Sequence, residues 1–270
     1  NGQSLPVANF ARIPQGSGPS LTYQPFNAQQ GIPPGEVVIL FLSGPQGMPG
    51  PGSAPCPVAS AMPSGVMLNT TGIGKSFRIS SDVPVVTYEI NPYGGGSAAV
   101  TGASLLLPTS VWDLNYIAVN VSPYDIANPS MNIVAAQDNT HVTLLPVANV
   151  QGGGGIPAGA ANQQLAITLN KGQHAQISQQ AELTGSVIQS DKPIGFMAGQ
   201  QCMRAPKGVA YCDHGEQMVP PVKALGSEYV GVMYRPRISE PAIWRIVGAI
   251  DGTNLTWSSN VGGPATINQG

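Results

Sequence analysis

Residues 133–145, IVAAQDNTHVTLL, return as residues 246–257, IVGAIDGTNLTW, and this repetition constrains the fold more than any other feature. Ile133, Val134, Ala136, Asp138, Thr140 and Thr143 recur 113 positions later as Ile246, Val247, Ala249, Asp251, Thr253 and Thr256. Each version is an apolar run, an Asp-Asn or Asp-Gly pair, and an alternating β-branched run. Asp-Asn and Asp-Gly tolerate the positive φ of a tight turn, so both segments read as β-hairpins. Matched spacing of this kind predicts repeated structural units.

The match extends outward. Residues 105–119 (LLLPTSVWDLNYIAV) line up with 218–232 (MVPPVKALGSEYVGV), keeping Pro108/Pro221, Tyr116/Tyr229 and Val119/Val232 in step. Residues 77–86 (FRISSDVPVV) match 187–196 (VIQSDKPIGF): Ser81, Asp82 and Pro84 return as Ser190, Asp191 and Pro193, now offset by 109. A strand ending at a glycine turn, residues 165–177 (LAITLNKGQHAQI), is echoed by 32–40 (IPPGEVVIL) and 265–270 (ATINQG). The expected organisation is therefore the second part of one unit over 1–107, a complete unit over 108–218 and the first part of a third over 219–270. Such a chain reads as a piece of something longer.

Composition agrees with many short strands joined by turns. The chain has 34 glycines and 26 prolines, and only 9% charged residues against about 25% in an ordinary soluble domain. The net charge of −2 with scattered basic residues gives no electrostatic footprint for nucleic acid. The longest wholly apolar run, residues 37–42, is too short to span a bilayer, so membrane insertion is not expected.

In order, residues 1–30 read as loop or edge, 35–42 as a buried strand, and the Pro/Gly-rich 43–64 as an insertion no regular ladder survives. A hairpin is expected over 77–90, strands at 98–107, 116–121, 132–137 and 141–146, a flexible tip at 152–164, and two strands flanking a turn at 170–172. No stretch shows helical periodicity. The expected fold is all-β: tandem antiparallel β-sandwich-like units of about 113 residues, with β-propeller-like blades as the alternative.

LTGSVIQSDKPI, EQMVPPVKALGSEYV and IVGAIDGTNLTW, in that order, resemble the N-terminal domain family of the IgGFc-binding protein. FRISSDVPVVTYEINPYGGG with ASLLLPTSVWDLNYIAV resembles its bacterial members. The resemblance covers roughly residues 35–257 and implies a secreted or surface-exposed adhesive module. No residue marks an antibody Fc contact, so that activity is not carried over.

Cys202 and Cys212 lie in the loop that makes the second version four residues longer than the first, and in an exported protein they are expected to pair. Cys56 is then free or paired outside the chain. Cys212, Asp213, His214 and Glu216 form the one dense group of ligand-type residues, but a disulfide would deny a metal both thiolates. A Cys212–His214 nucleophilic pair is weak, because near neighbours on a loop seldom face each other. No G-x-S-x-G is present, and His141 and His174 read as surface-facing strand residues. GIGKS at 72–76 lacks the first glycine and the helix of a phosphate loop. Asp82, Asp191, Asp138 and Asp251 occupy the repeated turns, where a short carboxylate accepts amide hydrogen bonds without need of calcium. Asn69, Asn120 and Asn254 open glycosylation-type triplets.

These readings favour a non-enzymatic adhesion or structural module of a longer repetitive surface protein, with no cofactor or metal. Its expected partners are further copies or neighbouring parts of the same protein. The alternative is a glycan- or protein-binding module that stacks ligand on Trp112, Tyr93, Tyr124 and Tyr211, with Asp113 and Asn115 beside Trp112. A hydrolase is the least supported class.

Overall fold

The computed structural model describes residues 2–44, 56–64, 66, 68–91, 102–210, 212–232, 243–259 and 261–269. The chain divides into two compact units, one formed by residues 1–67 with 93–99, the other by 68–92 with 100–270. No α-helix occurs among the described residues; the helical turns are short 3-10 segments.

In the smaller unit, β1 (Ala11–Gln15) lies between β2 (Thr22–Pro25) and β3 (Ile39–Leu40), antiparallel to both. Phe10, Ala11 and Phe41 are buried, and Tyr23 meets the Phe41 ring edge-on at 5.7 Å. The buried strand expected over 35–42 thus shrinks to two residues with Phe41 as anchor, and Val37 is exposed. Cys56 is a free thiol, half-buried.

The larger unit is organised by a curled, eight-stranded antiparallel sheet. Its members are β4 (Gly72–Lys75), β7 (Asp113–Ile117), β8 (Pro129–Ala135), β9 (Thr140–Leu145), β10 (Leu165–Leu169), β11 (Gln173–Ser178), β12 (Val187–Met203) and β13 (Asp213–Val219). Two short pairs stand apart: β5 (Tyr88–Asn91) with β6 (Gly102–Leu105), and β14 (Thr253–Asn254) with β15 (Thr266–Ile267).

The long strand β12 is the spine. Its first part pairs with β7 and β9, and its second part with β8 and β13. At Ile194 the partners are Asp113 on one side and Ala135 on the other, so β8 and β9 share one edge of β12 and run in the same direction along it. β10 and β11 follow the outer edges of β9 and β8 in the same way. All three tracks bend together, at residues 136–139, 170–172 and 190–193. Bends that carry strands from one half of a sheet to the other are how such sheets turn corners, and here the result is a half-barrel.

This corrects the hairpin reading of residues 133–145. Strands β8 and β9 run parallel in direction, so Asp138-Asn139 makes a corner, although Asn139 does adopt the expected positive φ of 51°. The turn chemistry was visible in the sequence. The choice between returning on itself and continuing round a corner depends on β11 and β12, which supply the hydrogen-bond partners. Likewise β10 and β11 flank the expected turn without pairing to each other, and the hairpin expected over 77–90 is present only as Tyr88–Asn91 against β6. The tip at 152–164 is ordered: Val150 bridges Gly159, Gly153 bridges Ile156, and Val150 and Ile156 enter the core.

Alternation explains the curl. Strand β8 buries Met131, Ile133 and Ala135, β9 Val142 and Leu144, β10 Leu165, Ile167 and Leu169, and β12 Ile188, Ile194 and Phe196. These side chains come from one face of each of the four strands and pack into a single core. Tyr116 on β7 fills the corner, packing edge-on against Phe196 at 6.1 Å. Its hydroxyl donates to the Ile194 carbonyl at 2.6 Å and accepts from the Asp113 amide at 3.3 Å. Trp112 lies over Gly195, where a Cβ would stand 2.6 Å from the indole ring. GIGKS is strand β4, and Gly74 is needed because a Cβ there would meet the His174 ring at 2.4 Å.

The sheets do not display tandem units of equal make-up, since β14 and β15 form a two-stranded sheet while their sequence counterparts belong to the eight-stranded one. Tyr116 is 1% exposed and its counterpart Tyr229 is 73% exposed. Tyr116→Phe should therefore lower stability by about 1–3 kcal/mol, by stranding buried partners of the hydroxyl. Tyr229→Phe should change it by less than about 0.5 kcal/mol in dilute protein. Urea denaturation of both variants checks the contrast.

Candidate binding surface

Three of the four aspartates at the repeated turns, Asp138, Asp191 and Asp251, lie at two corners. In the large sheet, Asp138 Oδ1 accepts the Lys171 amide at 3.1 Å, Asn170 Oδ1 accepts the Asn139 amide at 3.0 Å, and Asp191 Oδ1 accepts the His141 amide at 2.8 Å. Lys192 Nζ donates to the carbonyls of Asp138 and Asn139 at 2.6 and 2.9 Å. Every carboxylate and amide named here holds backbone, which is the role the turn reading gave to Asp138 and Asp191.

The second corner repeats the part of this bonding that Asp138 and Asn170 make, without counterparts among the described residues to the Asp191 and Lys192 bonds. Asp251 Oδ1 accepts the Gln269 amide at 2.9 Å, and Asn268 Oδ1 accepts the Gly252 amide at 3.0 Å. Thr253 Oγ1 donates to Ile250 O at 2.7 Å, as Thr140 Oγ1 does to Gln137 O at 2.9 Å. The 3-10 turns Thr109–Val111 and Val222–Ala224 also correspond, each entered from an extended proline. The Gly226 amide donates to the Tyr229 hydroxyl at 2.7 Å, matching Asp113 and Tyr116.

Packing, unlike local bonding, differs between the two. Ile133 is 1% exposed and Ile246 48%. Tyr229, Val230, Val232, Trp244 and Ile250 are also exposed. This segment has the local geometry of a core element with its apolar side chains in solvent. Isolated exposed apolar residues are ordinary, whereas here several fall within one segment. Sequence periodicity alone could not locate it, because buried and exposed versions carry the same pattern.

Cys202 and Cys212 form a disulfide with Cα atoms 5.2 Å apart, closing the loop between β12 and β13. Arg204 inside that loop grips Asp125 with two bonds, Nε to Oδ2 at 2.5 Å and Nη2 to Oδ1 at 2.6 Å, while its Nη1 donates to Val209 O. This fork ties the loop to residues 123–127 and was not singled out in the sequence, where 79 positions separate the partners. The bond from Arg204 holds the Asp125 carboxyl below the ordinary carboxylate range.

His214 on β13 stands 3.2 Å from Glu216, whose Oε1 is buried with no hydrogen-bond partner among the described residues. Burial and the nearby Glu216 charge push the Glu89 carboxyl up, with His214 opposing. The thiolates of Cys202 and Cys212 are consumed by the disulfide, so the ligand-type group at 212–216 has no thiolate to offer. Among the described residues no three His, Cys, Asp or Glu side chains gather as a metal site.

Of the aromatic candidates, Trp112 is half-buried and donates its indole N–H to Leu107 O at 3.0 Å. Tyr124 is half-buried, and its carbonyl accepts Lys207 Nζ at 3.3 Å. Tyr93 and Tyr211 lie outside the described residues. Asp82 sits at an exposed bend beside Ser81, whose hydroxyl donates to Val83 O at 2.7 Å. His141 is exposed on β9, as expected, and His174 half-buried. Asn120 is buried, holding Leu183 N at 2.9 Å, and so is closed to a glycan; Asn69 and Asn254 are exposed.

The chain combines a curled all-β sheet, a disulfide-closed loop and a second corner with exposed apolar side chains. Residues 102–270, more than half of the chain, match the family described as IgGFc binding protein, and the chain belongs to that family. The matched span opens at the start of β6 and takes in both corners; residues 77–91, part of the earlier resemblance, precede it. Comparison with curated proteins and with solved structures gives no match. No helix among the described residues is long and apolar enough to cross a membrane.

The Asp125–Arg204 pair generates a signed pH dependence. A depressed folded-state pKa contributes stability that is present above the ordinary carboxylate range and lost as pH falls through the lowered value. Wild type should exceed Asp125→Asn in Tm at pH 7, and the gap should close progressively below about pH 4. Calorimetry across that range reads it directly.

Proposed function

We propose that the chain is a non-enzymatic binding module of a secreted or cell-surface protein, a bacterial-type member of its family that serves adhesion or structural assembly. One observation carries this reading: Tyr229, Trp244 and Ile246 present apolar side chains to solvent, while their sequence counterparts Tyr116, Met131 and Ile133 are buried. Membership of a family described as IgGFc binding protein supports a binding role. The disulfide supports an oxidising, extracellular setting.

The partner that suits such a surface is more of the same protein, since an exposed core-type surface is best matched by the strand that covers it elsewhere in the fold. Low charge leaves little repulsion between copies. Glycan stacking on Trp112 has less support, because its ring already lies over Gly195 and its N–H is engaged.

Immobilised chain should retain soluble chain in a biolayer measurement, and a glycan array should stay blank. Antibody Fc belongs in the same assay because of the family's description. A chain that retains neither itself, glycan nor Fc would contradict the binding-module reading.

A further inference from the structure

We propose that Arg245 is the positioning residue of the exposed apolar surface: its guanidinium fastens residues 243–247 to the large sheet with Trp244 and Ile246 turned away from it. This rests on the binding-module reading and names the residue that orients its surface.

The guanidinium closes a ring of hydrogen bonds built by loops of the large sheet. Arg245 Nη1 donates to Asn120 O at 3.0 Å, and Nη2 donates to Glu182 Oε1. Thr184 Oγ1 donates to the same Glu182 oxygen at 2.5 Å and accepts the Asn120 amide at 2.9 Å. Asn120 is 3% exposed and its side chain is itself fixed, Oδ1 accepting the Leu183 amide at 2.9 Å and Nδ2 donating to Ser130 O at 3.2 Å. The receptor is therefore held by β8 and by the connection between β11 and β12. A planar fork matches two such acceptors at once, which a single ammonium does not.

The counterpart strand shows what the anchor does. At the 113-residue offset Trp244, Arg245 and Ile246 correspond to Met131, Asn132 and Ile133 of β8. Met131 and Ile133 are each 1% exposed, while Asn132 lies on the other face and donates to Ser130 Oγ at 3.3 Å. In the second segment the order is reversed. The middle residue is tied down, and Trp244 and Ile246 are 56% and 48% exposed. Trp244 is steadied from a second side by Gly231, where a Cβ would overlap the indole ring. A further tie to the large sheet, Lys223 Nζ to Asp113 Oδ1 at 3.5 Å, is looser: the lysine side chain is 54% exposed, against 28% for Arg245. A half-exposed ion pair adds little to global stability, so the effect of the Arg245 anchor is on orientation.

Arg245→Ala and Glu182→Ala test this, each variant serving as both the immobilised and the soluble chain. Glu182 belongs to the receptor loop and not to the apolar surface, so a loss through Glu182 reports orientation. Each variant should weaken self-retention about tenfold or more, and the double variant no further. Tm should stay within about 2 °C of wild type. The chain has three tryptophans; with 5-fluorotryptophan incorporated, the resonance removed by Trp244→Phe should move alike in both variants while the other two stay in place. Loss of retention with Arg245→Ala but not with Glu182→Ala would mean that Arg245 touches the partner directly, and would overturn the positioning role. Additive losses, or an unmoved Trp244 resonance, would overturn it too. If wild type retains neither itself, glycan nor Fc while the resonance moves in both variants, the anchor stands and the binding-module reading fails.

Discussion

The structure depends on one constraint: three chain tracks must bend at the same level without losing their hydrogen bonds. A bend in a sheet leaves backbone amides without ladder partners, here at exposed positions where side-chain acceptors fix the corner in place of water. Asp138, Asn170 and Asp191 answer this by accepting the amides of Lys171, Asn139 and His141, and Lys192 donates to the carbonyls on the same corner. Each of these amide hydrogen bonds joins one bend to the bend of a neighbouring track, 31 to 50 residues away in sequence. Once the corner is fixed, alternation on each strand decides which side chains face inward. Ile133, Val142, Leu169 and Ile194 then close on Tyr116 and Phe196.

The same local chemistry appears a second time with a different outcome. Asp251, Asn268 and Thr253 reproduce the corner bonds, yet Ile246 and Tyr229 remain in solvent. Local bonding therefore does not need the spine strand, whereas burial does. The second corner leaves apolar side chains in solvent, and its two-stranded sheet buries none of them. This separation between what a corner can build alone and what only a strand can finish underlies the functional reading.

Much of this was legible in the sequence, and the gaps have identifiable causes. The all-β class, the roles of Asp138 and Asp191 and the pairing of Cys202 with Cys212 were read from turn chemistry and spacing. The hairpin reading of residues 133–145 failed because an Asp-Asn turn fits both a reversal and a corner. Only the register of β8 and β9 against β12 tells them apart. The Asp125–Arg204 fork escaped because two charged residues far apart in sequence carry no local signal. Trp112 looked like a stacking platform from its polar neighbours, and its cover, Gly195, is a residue that sequence reading passes over.

Hydrogen exchange by mass spectrometry, read at low and high protein concentration, tests the central claim most directly: that the corner at residues 246–257, unlike its buried counterpart in the large sheet, is an apolar binding surface. Peptides from β8, β9 and β12 should be protected at both concentrations. A peptide covering 246–257 should exchange quickly when dilute and become protected as concentration rises. Rapid exchange of that peptide at every concentration would contradict the account.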